Sequence, residues 1–150
     1  MSKDINFSGV SIYQGKSLIL TDVTFNIAHG EFVYLIGKTG TGKSSLLKTI
    51  YGDLPLRAGN AQVAGFDLEK MNWKTVPYLR RKLGIIFQDF QLLMDRSVDD
   101  NLEFVLRATG TNDKSLIKLK SDEALKRFLI AFEDPDRAYE AIIKVTILLF

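Results

Sequence analysis

Nine residues, Gly37 to Ser45 in the order GKTGTGKSS, hold the most legible chemistry in this sequence. A phosphate group carries concentrated negative charge, and sequestering it takes hydrogen-bond donors that are easily aimed. Glycines at 37, 40 and 42 let the backbone curl so that successive N–H groups point inward. A helix starting at the same place would direct its positive end at the same point. In the pattern GxxxxGK[ST], Lys43 reaches the β- and γ-phosphate oxygens and the Ser44 hydroxyl ligates Mg²⁺. The pattern predicts a bound nucleotide.

The motif needs a strand before it and a helix after it. Phe32-Val33-Tyr34-Leu35-Ile36 is a continuous apolar run, expected as a strand buried on both faces. Ser44 to Tyr51 carry Leu46, Leu47 and Ile50 at helical spacing, closed by Gly52. Upstream, Asp4–Ile12 and Leu18–Ile27 alternate apolar and polar residues around Gly15, which predicts two antiparallel strands. Downstream, a strand is expected over Asn60–Leu68 and an amphipathic helix over Val76–Leu83. Ile85-Ile86-Phe87 reads as a short buried strand ending at Gln88. Ser97-Val98-Asp99-Asp100 forms a capping box for a helix to about Ala108, and the tail from Asn112 is helical in pattern.

The 150 residues are 46% hydrophobic and 25% charged with a net charge of +2, the profile of one ordinary globular domain. That charge is too small to imply nucleic acid. With no cysteine there is no disulfide framework, thiolate metal site or cysteine nucleophile. The N-terminus lacks a signal-length apolar stretch, and the apolar runs elsewhere, the terminal Ile147–Phe150 among them, are far short of a membrane span. The chain is read as soluble, reaching a membrane through a partner.

With its phosphate loop, the antiparallel run before it, Gly30-Glu31 and the segment Ile86-Phe87-Gln88, the chain resembles the ATP-binding subunits of ABC transporters. Gln88 to Asn101, QDFQLLMDRSVDDN, narrows the likeness to the cell-division, FtsE-type branch. Relatives exporting lipoproteins or macrolides usually carry Pro in place of Met94 or Asp95. The resemblance covers about residues 5–127. It implies an α/β fold: a P-loop NTPase core with an N-terminal antiparallel β segment, incomplete, followed by a helical tail. The core is set at residues 1–110 and the tail at 111–150, diverging after about residue 127.

The resemblance also implies roles. Tyr13 stacks on adenine. Gly37, Lys38, Thr39, Gly40, Thr41, Gly42, Lys43, Ser44 and Ser45 hold the phosphates of ATP. Gln88 contacts Mg²⁺ or the attacking water, and Lys43 and Gln88 are the catalytic pair. Phe90–Arg96 docks an FtsX-like transmembrane subunit, and full-length subunits pair as homodimers that sandwich ATP. The protein would sit at the inner face of the cell membrane, and no nucleic-acid partner is expected. His29 is expected in a turn, Trp73 in packing, and Arg80-Arg81-Lys82 on a solvated helix face, with binding to anionic lipid near a membrane partner as the lesser alternative.

The family also uses an LSGGQ-like signature, an Asp-Glu after a Walker B strand, and a switch histidine. None is present as such: no two glycines are adjacent and the last is Gly110. Phe128–Pro135 places acids after an apolar run, but in the order Glu-Asp and on a helical stripe. Asp134 as an N-cap and Pro135 as the first residue of a further helix explain them better. The chain is therefore expected to be a truncated or rearranged ATP-binding subunit that binds Mg-ATP and hydrolyses it poorly alone. Missing strands would leave the phosphate-loop strand uncovered. Alternatives are a non-hydrolytic docking module, an exporter-type ATPase subunit, and a P-loop kinase, which Gln88 and the antiparallel segment disfavour.

Overall fold

A computed structural model describes residues 3–85 and 92–133. Two compact units divide the chain, residues 1–83 and 84–150.

The first unit is built on a four-stranded antiparallel sheet in the order β2-β1-β3-β4. Strands β1 (Lys3–Gln14) and β2 (Ser17–Ala28) form the hairpin read from the alternating pattern, with a turn at Gly15. Strand β3 (Ala58–Val63) pairs with the other edge of β1, and β4 (Phe66–Asp67) returns on β3. The single strand expected over Asn60–Leu68 is thus two, because the chain reverses at Ala64 and Gly65. Both residues there have positive φ, 48° and 82°. The alternation of β1 also breaks. Phe7 and Val10 are both buried although three positions apart, because a bulge at Gly9 shifts the register between them. Gly59 permits the close approach of β3 at this bulge. Its φ is +84°, and a Cβ there would lie 2.6 Å from the Val10 Cα.

Helix α1 (Lys43–Ile50) ends as the sequence requires. Gly52 takes φ +73°, and the N–H groups of Gly52 and Asp53 donate to the carbonyls of Thr49 and Lys48. These are the paired bonds of a glycine-terminated helix. Leu46 of α1 joins Phe7, Val10, Ile12, Ala61, Val63, Leu68 and Leu79 in one core. Phe7 stacks on Phe25 with ring centroids 4.9 Å apart. Leu79 comes from α2 (Val76–Arg80), shorter than the expected Val76–Leu83. A 3₁₀ turn at Leu68–Lys70 precedes it.

Three further expectations need correcting in this unit. The run Phe32–Ile36 forms no strand, and its side chains are 73, 52, 76, 44 and 88% exposed. A strand with apolar residues on both faces needs neighbours on both edges, and among the described residues none pairs with it. Phe32 and Tyr34 instead meet edge to face, 4.9 Å apart. Trp73 is not packed but 80% exposed. Arg80 is exposed yet not merely solvated: its Nε donates to the Tyr51 carbonyl and its guanidinium lies 3.6 Å from Asp53.

In the second unit, α3 (Val98–Ala108) begins at the capping box read from the sequence. The Ser97 hydroxyl accepts from the Asp100 N–H, and the Asp100 carboxylate accepts from the Ser97 N–H and hydroxyl. These bonds hold the Asp100 carboxyl below its ordinary range, the Ser97 hydroxyl bond contributing most. Helix α4 (Lys114–Glu133) packs on α3. Its buried Ile117, Ser121 and Ala124 recur at helical spacing. The backbone of Phe128–Glu133 is helical, as the stripe implied; Asp134 and Pro135 lie outside the described residues.

Candidate functional site

The phosphate loop folds so that its donors collect at one end of α1. The Thr41 N–H and hydroxyl both reach the Lys38 carbonyl, at 3.3 and 2.8 Å. Gly40 and Gly42 adopt φ of +84° and +93°, conformations that L side chains rarely enter. At Gly42 a second constraint applies. A Cβ there would lie 2.9 Å from both Ile19 Cγ2 and Leu20 Cγ, so the loop seats against β2 only through a bare backbone. Gly37 is closed in a similar way, since a Cβ would meet the Thr41 hydroxyl at 2.9 Å.

Gly42 caps α1 without any side-chain hydrogen bond, and no acidic residue occupies the first turn. The first intrahelical bond runs from the Leu46 N–H to the Gly42 carbonyl at 2.9 Å. The amides of Lys43, Ser44 and Ser45 therefore open the helix with no carbonyl one turn before them. The helix dipole adds partial positive charge at that point. Lys43 turns back over the loop, and its Nζ donates to the carbonyls of Gly37 and Lys38 at 2.6 and 2.8 Å. Ammonium, loop amides and helix terminus thus converge, an arrangement that favours an anion. Lys38, Thr39 and Ser44 are exposed, whereas Ser45 is buried on the inner side of α1. Ser45 can therefore serve a phosphate through its amide, not from an open side chain. Among the described residues no group of three or more His, Asp or Glu side chains could hold a metal by itself. A divalent cation would thus draw ligands from phosphate oxygens, with the exposed Ser44 hydroxyl as the protein donor.

Tyr13 lies near the turn of the β1–β2 hairpin. It pairs with Leu18, two positions from the Leu20 that touches Gly42. Loop and ring are thus tied to the same end of one hairpin. Arg57, which sequence reasoning passed over, fixes this end. Its Nη1 donates to the Gly15 carbonyl at 2.7 Å, and its guanidinium sits 5.7 Å from the Tyr13 ring centroid. The contact spans more than forty residues of chain, so no local pattern announces it.

Gln88 and Phe90 lie outside the described residues. Of the expected docking stretch, Leu92 and Met94 are 60 and 90% exposed, and Leu93 is half-buried. They border a groove of about 220 Å³ with Arg96, Val98 and Leu102. Asn101 holds this stretch in shape. Its carboxamide accepts from the Leu93 N–H at 2.8 Å and donates to the carbonyls of Leu93 and Ser97 at 3.0 and 2.9 Å. Arg96 lies over the Phe104 ring at 5.4 Å. Sequence reading gave Asn101 no role; its position just inside a capped helix, facing a preceding loop, was the signal available.

The family model for the ABC transporter matches residues 20–148. The chain belongs to the ABC transporter family. Its match to the family thus takes in the phosphate loop, the 92–101 segment and α4. The Cell division ATP-binding protein FtsE of Escherichia coli (strain K12) is 43% identical over 109 residues, which are 72% of this chain and 49% of that protein. FtsE of Streptococcus pneumoniae (strain D39) is 35% identical over 107 residues, 71% of this chain and 46% of the relative. The chain spans about half the length of the curated relatives it matches. Among solved structures, the dimeric post-hydrolysis state of the ATP-binding cassette MJ0796, bound to ADP and Pi, superposes with a TM-score of 0.70 at 27% identity. That match covers 82% of this chain and 56% of the cassette. CbiO1 from Clostridium perfringens gives a TM-score of 0.71 at 26% identity, covering 85% and 51%. The fold is that of an ABC ATPase cassette over the matched part: the P-loop, its antiparallel segment and the helices that follow.

Proposed function

We propose that this chain binds Mg-ATP in the 37–45 loop and acts as the ATP-binding part of an FtsE-like ABC complex. The observation that carries the reading is the meeting of Lys43 with the uncapped, acid-free first turn of α1. Lys43 would exchange its two carbonyl partners for β- and γ-phosphate oxygens. The amides from Gly40 to Ser45 would bond the remaining oxygens, and Ser44 would ligate Mg²⁺. Tyr13 would offer a ring face to adenine, steadied by Arg57. Gln88 would contact Mg²⁺ or the attacking water. Catalysis in such a site is positioning and charge neutralisation.

The names of the relatives support a role in cell division, and the MJ0796 dimer supports a sandwich of two subunits. A membrane partner of the FtsX kind would dock near Phe90–Arg96, keeping the protein at the inner membrane face. No helix among the described residues is long and apolar enough to cross a membrane. Hydrolysis by these residues alone would be slight, because no signature motif follows the loop and the Asp-Glu pair that does, Asp122-Glu123, lies within α4 instead of ending a strand.

Titration with a fluorescent ATP analogue and Mg²⁺ tests the reading. Saturable binding is expected. Lys43→Ala should weaken it about 10- to 100-fold, the worth of a charge-assisted bond of roughly 1.5–3 kcal/mol. Gln88→Ala should leave binding nearly intact. A second reading, a docking module that uses no nucleotide, draws on the exposed Leu92 and Met94; wild-type protein with no affinity for the analogue would favour it.

A further inference from the structure

Residues 70–82, KMNWKTVPYLRRK, contain five cations and no acid. Two large rings in this stretch are presented to solvent, Trp73 at 80% and Tyr78 at 57% exposure. Each carries a cation on its face: the Lys74 ammonium lies 5.2 Å from the Trp73 ring centroid, and the Arg81 guanidinium 5.4 Å from that of Tyr78. The nearby acids are already engaged. Asp67 pairs with Lys70 at 2.8 Å, and Asp53 lies between Lys48 and Arg80 at 3.8 and 3.6 Å. Glu69 is the remaining acid of the 3₁₀ turn. Among the described residues, neither Lys74 nor Lys82 has a carboxylate at ion-pair distance. Beside Trp73 opens a groove of about 390 Å³ whose walls include Leu54, Leu56, Met71, Val76 and Pro77.

We propose that the segment 73–82, through its exposed Trp73, Lys74, Tyr78, Arg81 and Lys82, rests on an anionic lipid bilayer. Both rings combine an apolar body with a polar tip, the character that places Trp and Tyr at headgroup level. Lysine and arginine beside them meet lipid phosphates while their stems lie against apolar surface. The groove beside the indole is lined mainly by apolar side chains, with Arg80 as its charged member. Trp73 is exposed beside Lys74 and is not among the buried residues that form the core of this unit, to which this segment contributes Leu79. The surface shares no residue with the phosphate loop, so it stands apart from the nucleotide assignment.

Trp73 is the only tryptophan in the chain, so its emission reports this surface alone. Full-length chain is titrated with phosphatidylcholine vesicles in which a third of the lipid is phosphatidylglycerol, and with phosphatidylcholine alone. A blue shift and protection from acrylamide quenching are expected with the anionic vesicles only, weakening as salt is raised. Each basic residue near such a surface contributes a factor of about five. The double variant Lys74→Ala/Lys82→Ala should therefore partition roughly 30-fold less, with its far-ultraviolet circular dichroism unchanged. Absence of a shift on anionic vesicles, an equal response to phosphatidylcholine, or undiminished binding by the double variant would overturn the proposal. So would a shift given by a glutamate-rich peptide and not by vesicles.

Discussion

Replacing Gly42 with serine sets two local rules against each other, and the structure decides between them. Gly42 is the N-cap of α1, where serine is among the most favourable residues and its hydroxyl contributes about 1 kcal/mol. That gain assumes an extended backbone at the cap. Here φ is +93°, where an L side chain costs about 1–3 kcal/mol. The new Cβ would also press on Ile19 and Leu20 at 2.9 Å, forcing β2 or the loop to shift. The balance is a destabilisation of roughly 1–3 kcal/mol in place of a gain. Gly40 isolates the second effect. Its φ of +84° carries similar strain, but a Cβ there meets nothing within 4 Å. Urea unfolding of Gly42→Ser, Gly42→Ala and Gly40→Ala should rank Gly40→Ala as the mildest. In the nucleotide titration, both Gly42 variants should also lose affinity because the amides of the first turn move. A Gly42→Ser protein as stable as wild type, with unaltered affinity, would refute the close approach of loop and β2.

Three further outcomes follow from other parts of the chain. Gly59→Ala should lower the unfolding free energy by more than the roughly 1–3 kcal/mol of backbone strain, since its Cβ would abut the Val10 backbone; an unchanged urea midpoint would contradict the packing at the bulge. Asn101→Leu should cost about 1–3 kcal/mol by stranding polar groups of the 93–97 loop, and should speed hydrogen exchange at the Leu93 amide. Asp100 has a folded pKa below its ordinary value, so its contribution is complete above the usual carboxylate range. It is lost as pH falls through the lowered value; the acid limb of the stability profile should therefore flatten in Asp100→Asn relative to wild type.

What the sequence disclosed was what local chemistry determines. The β1–β2 hairpin follows from alternation, the close of α1 from Gly52, and the start of α3 from Ser97 and Asp100. The phosphate loop was readable because glycine, lysine and serine at fixed spacing have few other uses together. Features set by distant segments were not readable. Arg57 reaches Tyr13 and Gly15 across a large part of the chain, and Asn101 reaches back to Leu93. Ala64, at φ +48°, takes a turn conformation that its residue type would not announce. Hydrophobicity alone misplaced both Trp73 and Phe32–Ile36. An apolar side chain is buried only where some other element arrives to cover it, and periodicity cannot report that arrival.

The central claim is that the 37–45 loop grips the terminal phosphates of a nucleotide, and amide chemical shifts read this at the atoms concerned. In ¹⁵N-labelled protein titrated with Mg²⁺ and either ADP or AMP, ADP should move the amides of Gly40, Thr41, Gly42, Lys43 and Ser44 in a saturable manner. AMP, which lacks the β-phosphate, should leave them nearly in place, and Lys43→Ala should blunt the response to ADP. Equal responses to the two nucleotides, or no movement of these amides at saturating ADP, would contradict the account.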